Sequence, residues 1–149
     1  MKLLQTLRKA ETWLEVKRAE EQMAASRFQE ALQAQMDAKA VLARLENWQR
    51  EYEGPGLVRQ GSFRLRDLQD YQLFREGLAK QRRRAQAQLK AVDSAVKERR
   101  STLLRAAQQR KLAELYREKC SARLALENQR SAQRGADELA GQQAARMTR

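Results

Sequence analysis

Histidine is absent from this chain, cysteine and proline occur once each, and only eight of its 149 residues are aromatic. Each shortage closes a class of function. Without histidine, and with Cys120 alone, neither a disulfide framework nor a zinc site of ordinary composition can be assembled. The same lack leaves the Cys120 thiol without an imidazole base, so it reads as a small buried or interface apolar residue rather than a nucleophile. Leu3 and Leu4 are followed by Arg8, Lys9 and Glu11, too soon for a signal-peptide core or a membrane span. Gly54-Pro55-Gly56 lacks the Gly-Lys-Ser/Thr ending of a phosphate-binding loop. Carboxylate pairs such as Glu20-Glu21 and Asp137-Glu138 read as surface charge, and no catalytic constellation emerges. The expectation is a non-enzymatic, cofactor-free protein of the cytoplasm that inserts nothing into a membrane.

Helix breakers are as unevenly placed as they are few. No glycine precedes Gly54, Pro55 is the lone proline, and after Gly61 only Gly77 interrupts before Gly135. A chain punctuated once folds back once. The expected architecture is all-α: an antiparallel two-helix coiled-coil hairpin with the second helix longer. Its parts are a helix over 2–53, a turn over 54–62, a helix over 63–134 and a flexible, frayed basic tail over 135–149. Pro55 ends the first helix and Ser62 caps the second. At 1.5 Å per residue the helices would run roughly 75 and 105 Å.

What the chain does contain supports this. A charged fraction of 34% leaves disorder as a competing reading, but the apolar residues are periodic rather than scattered. Alternate steps of four and three from Leu3 to Tyr52 visit fifteen positions, eleven of them apolar, four of those alanine. The exceptions are Lys17, Glu21, Gln35 and Gln49. A repeat near 3.5 makes one stripe and a left-handed supercoil. The second tract has a comparable stripe through Leu78, Ala85, Leu89, Val92, Val96, Leu103, Ala106, Ala113, Cys120 and Leu124. Arg82, Arg99, Arg110 and Arg117 fall in that series and are expected to snorkel outward. Folding at Pro55 would set Tyr52 against the Leu65 region and Leu3 near Glu114, leaving residues from Leu115 onward without a partner. A core this thin suggests life inside a larger complex.

Charge and aromatics are the remaining signals. Residues 1–53 hold nine basic and nine acidic side chains, so the whole net charge of +12 lies in 54–149. That asymmetry argues for an acidic partner along the second helix. Arg82-Arg83-Arg84, Arg99-Arg100 and Arg110-Lys111 lack the aromatic interleaving of a nucleic-acid site, and a solvated or protein-facing surface is favoured over specific recognition. Five of the eight aromatics, Trp48, Tyr52, Phe63, Tyr71 and Phe74, lie within 27 residues. They either plug the end of the hairpin or anchor a partner.

The motif Leu45-x-x-Trp48-x-x-Glu51-Tyr52 before a glycine-containing turn, with Leu68-x-x-Tyr71-x-x-Phe74-x-x-x-Leu78 after it, resembles the FliJ family. That family supplies the coiled-coil stalk of the flagellar type III export ATPase complex. The resemblance covers nearly the whole chain in layout and residues 41–80 in motif. It implies a hairpin similar to the rotor stalk of rotary ATPases, whose paired termini enter the pore of a FliI-like export ATPase ring and promote its assembly and activity. It further implies contact with the FlhA-like export-gate protein near the hairpin tip, binding of export chaperones, and a peripheral place at the inner membrane beneath the flagellum. The gate-contacting surface carries over to Leu45, Trp48, Tyr52, Phe74 and Leu78, while Val41, Gln81 and Ala85 depart from the pattern. The pore-facing end would comprise Leu3, Leu4, Leu7, Leu115, Arg117, Lys119, Arg123 and Arg130. Two alternatives stay open: the equivalent stalk of a virulence secretion system, and a basic coiled-coil scaffold or nucleic-acid-binding protein.

Overall fold

Residues 2–53 and 65–148 are described by the computed structural model. Two helices account for almost all of them: α1, Lys2–Glu53, and α2, Leu65–Met147. The expected turn at 54–62, the Ser62 cap and the helix start at 63 lie outside the described residues. α1 contains neither glycine nor proline and is rich in Ala, Leu, Glu, Gln, Lys and Arg, the best helix formers. Arg50 and Arg146 stand in the last turns of α1 and α2, and Asp67 in the first turn of α2, each opposite in sign to the local helix-dipole charge. The Thr148 hydroxyl donates to the carbonyls of Ala144 and Ala145 at 3.2 and 3.1 Å, satisfying groups the helix end would otherwise leave open.

α2 does not stop at 134. It runs through Gly135 and Gly141 to Met147, so 135–147 is helical where a frayed tail was expected. Each glycine costs about 1 kcal/mol relative to alanine. Ala136, Glu138, Leu139, Ala140, Gln142, Gln143, Ala144 and Ala145 offset that cost, and no proline intervenes.

The protein is an all-helical two-helix hairpin with the second helix the longer and the helices in extensive contact. The chain divides into two compact units, a terminal one of Met1–Met23 with Leu104–Arg149 and a middle one of Ala24–Leu103. Within each, α1 and α2 are antiparallel. In the terminal unit Glu11 faces Arg117 at 3.9 Å and Arg18 faces Glu114 at 3.8 Å. In the middle unit Gln35 donates to Asp93 at 2.7 Å and Arg82 to Gln49 at 2.9 Å. The terminal unit buries Ala10, Leu14, Ala113 and Cys120; the middle unit buries Ala24, Leu45, Leu78 and Val96. Every one of these lies on the two expected stripes. Three are alanines, each contributing only about 0.8 kcal/mol of methyl burial.

The pairing register differs from the expected one by roughly three helical turns. Tyr52 meets Tyr71 and Phe74, not Leu65, and Trp13 meets Tyr116. Leu115 through Leu124 are therefore not an unpartnered overhang: Cys120 is buried and Leu124 half-buried. The polar seam positions explain the choice. Lys17 donates to Gln109 at 3.0 Å, Glu21 accepts from Arg110, Gln35 donates to Asp93 and Gln49 accepts from Arg82. All four α1 exceptions thus find polar partners. The expected register would have set Glu21 near Val96 and Gln49 near Leu68, desolvating polar groups without hydrogen bonds at about 1–3 kcal/mol each.

The seam arginines also divide. Arg99 and Arg117 are exposed as expected, but Arg82 and Arg110 cross the seam instead of snorkelling away. Arg110 bonds Glu114 at 2.9 Å as well as Glu21, and these two carboxylates, Glu114 first, hold its guanidinium pKa above the ordinary value. Arg82 is less well served: its Nε is buried without a hydrogen-bond partner, 4.0 Å from Glu46.

Gly77 sits inside α2 with nothing within 4 Å of where a Cβ would stand. Gly77→Ala should therefore raise stability by about 0.5–1 kcal/mol, read as a higher midpoint in urea denaturation. An unchanged or lowered midpoint would mean that position 77 is not helical in solution.

Candidate functional site

Two surfaces combine exposed apolar side chains with organised geometry. The first belongs to the middle unit. Trp48 and Tyr52, one helical turn apart, lie on one flank of α1. Tyr52 and Phe74 meet edge to face, ring centroids 4.9 Å apart at 67°. The Tyr71 hydroxyl donates to the Tyr52 carbonyl, and the Arg75 guanidinium lies 6.0 Å from the Tyr71 ring centre. These contacts fix Tyr52, Tyr71 and Phe74 without covering them: Tyr52 and Phe74 are 39% and 46% exposed, and Trp48, one turn before Tyr52, is 45% exposed. Leu45 and Leu78, by contrast, are buried in the seam. Val41 and Ala85 line a separate groove of about 280 Å³ with Ala34, Ala38 and Val92.

The second surface belongs to the terminal unit. Leu3 and Leu7 are half-buried at the seam, whereas Leu4, Leu115, Arg117, Lys119, Arg123 and Arg130 are exposed. Leu3, Thr6, Tyr116, Lys119, Cys120 and Arg123 line an open cleft of about 260 Å³. Beside it Trp13 packs edge-on against Tyr116, centroids 5.8 Å apart at 78°. Hydrogen bonding with Cys120, then electrostatic interaction with that side chain and desolvation, raises the Tyr116 pKa above 10.0, partly countered by Arg123. Among the described residues no cluster of Cys, Asp and Glu side chains could hold a metal ion, and no helix is long and apolar enough to cross a membrane.

The family model of the flagellar FliJ protein matches residues 7–149. The chain belongs to the FliJ family. Comparison with curated proteins and with solved structures finds no match. As a FliJ-family member the chain is a component of flagellar protein export.

Of the five residues that the FliJ resemblance set on one surface, Trp48, Tyr52 and Phe74 are exposed, the last two in edge-to-face contact, while Leu45 and Leu78 are buried in the core. Phe63, the remaining aromatic of that stretch, lies outside the described residues. Sequence reasoning missed the Trp13–Tyr116 pair altogether. A signal was present, since Trp13 precedes the seam residue Leu14 and Tyr116 precedes the seam residue Arg117. Residues one place before facing seam positions share a flank in an antiparallel pair. Only the register says that these two meet.

Replacing Cys120 with alanine should lower the Tyr116 pKa toward 10, measured by tyrosinate absorbance in an alkaline titration. The wild-type pKa is raised on folding, so the stability it contributes is present below pH 10 and is lost as pH rises through the folded value. An unchanged titration would remove the thiol as the cause.

Proposed function

We propose that this FliJ-family chain is a non-enzymatic stalk. Its terminal unit docks in the ring of the export ATPase, and its middle unit presents the Trp48–Tyr52–Phe74 cluster to the export-gate membrane protein. The observation that carries the reading is the end of the hairpin. The α1 residue Leu3 shares a cleft with Arg123, and α2 continues to Met147. Leu3, Leu4, Leu7 and Leu115 supply apolar contact there, and Arg117, Lys119, Arg123 and Arg130 supply positive charge for an acidic pore lining. Export chaperones are further partners, and the place of action is the cytoplasmic side of the inner membrane at the flagellar base.

For the gate, half-exposed aromatic rings are the expected form of a docking anchor: rigid, large, and cheap in entropy to immobilise. Arg82 and Arg110, spent on seam contacts, leave fewer cations for nucleic acid than the basic runs suggest. Charge facing a protein partner is therefore the better-supported reading.

Stoichiometric addition of the purified chain should raise ATP hydrolysis by the export ATPase, and reversing Arg117, Lys119, Arg123 and Arg130 to glutamate should abolish the increase. No stimulation by the wild-type chain would sink the ring-docking half of the proposal. Separately, Trp48→Ala with Phe74→Ala should weaken gate binding roughly tenfold or more, with helicity unchanged by circular dichroism. Undiminished binding and motility would remove the aromatic anchor.

A further inference from the structure

We propose that the side of the terminal unit centred on Trp13 and Tyr116 is a binding site for an acidic amphipathic helix of a partner protein. This inference shares Lys119 and Arg123 with the proposed ring-docking end but rests on the geometry of the Trp13–Tyr116 side of that unit.

Four apolar side chains stand exposed on that side, two of them in contact. Trp13 and Tyr116 are in edge-to-face contact yet 40% and 45% exposed. Val16 follows Trp13 by three residues and Leu112 precedes Tyr116 by four, so each extends its neighbour along the same helix face. Both are largely exposed. A joined patch of this kind, with Trp and Tyr at its centre, is the composition of a contact site rather than of ordinary protein surface.

The patch has an electrostatic direction. The cleft that adjoins it through Tyr116 contains Lys119 and Arg123 and no carboxylate. Lys9 lies one turn before Trp13 on its face. Among the described residues none of these three cations enters a salt bridge, while the nearby carboxylates Glu11, Glu20 and Glu114 are already engaged by Arg117, Lys17 and Arg110. Three cations outside any salt bridge of the chain, beside an apolar patch, call for a partner carrying carboxylates next to its apolar residues. At about 260 Å³ the cleft suits one or two side chains rather than a cofactor.

The shape favours a helix. Trp13 with Val16, and Tyr116 with Leu112, form two short antiparallel ridges, and the furrow between two such helices is where a third helix packs in a bundle. Apolar anchors at i, i+3, i+4 and i+7 would meet the ridges, and glutamates on one edge would meet Lys119 and Arg123.

The test titrates the full chain with a synthetic helical peptide bearing leucines at those spacings and flanking glutamates, following the indole N–H resonances of Trp13 and Trp48. Trp13→Phe assigns the former. A saturable shift of Trp13 but not Trp48 is expected, at least tenfold weaker with a peptide in which lysine replaces glutamate. The double variant Lys119→Glu, Arg123→Glu, both exposed and on the surface of an intact helix, should reverse that preference. Absence of a Trp13 response to the acidic peptide overturns the proposal. So does equal response to both peptides, or an equal Trp13 shift with duplex DNA or phosphatidylglycerol vesicles.

Discussion

Polar residues crossing an alanine-rich seam hold this molecule in one alignment. Small side chains let two helices approach closely, but they slide past one another at little cost, because one alanine layer resembles the next. Lys17, Glu21, Gln35 and Gln49 remove that freedom. Each meets a complementary group on α2, at Gln109, Arg110, Asp93 and Arg82 respectively. A slip that kept the apolar stripes facing would still strand these groups against leucine or valine. Their net contribution to stability is small beside the cost of misplacing them, so their role is selection among alignments.

That selection decides which surface residues become neighbours. Because Gln49 is held at Arg82, Tyr52 comes beside Phe74 and Tyr71. Because Glu21 is held at Arg110, Trp13 comes beside Tyr116. The two aromatic groups are downstream products of the seam chemistry. Both stay half-exposed for the same reason: a pair of helices has one mutual face, and residues flanking it are supported from below but open to solvent. A FliJ-family hairpin thus holds exposed aromatic rings in fixed contact without needing a pocket in a globular core.

The division of charge has a related logic. α1 is balanced, and its carboxylates Glu46, Glu21 and Glu11 are drawn on by the α2 arginines Arg82, Arg110 and Arg117 in the seam and along its edges. What remains on α2 is excess cation, concentrated on outward faces, where it adds little to fold stability. Arg82 and Arg110 show how a run of basic residues misleads when read as a unit. Within Arg82-Arg83-Arg84 only the first is structural, because only it falls on the seam repeat.

Much was legible before any coordinates. The heptad-like spacing identified both stripes, and all eight buried residues lie on them; the clustering of glycine and proline at 54–61 announced a single fold-back, and the family could be recognised from the aromatic motif. Local physics suffices for these, since periodicity and helix-breaking act within a few residues. Alignment, the end of α2 and the membership of the aromatic groups were not legible. Whether Gly135 ends a helix depends on the summed preference of all its neighbours. Whether Leu45 or Trp48 reaches solvent depends on which face the partner helix covers, and that is settled only when polar groups far apart in the chain find each other.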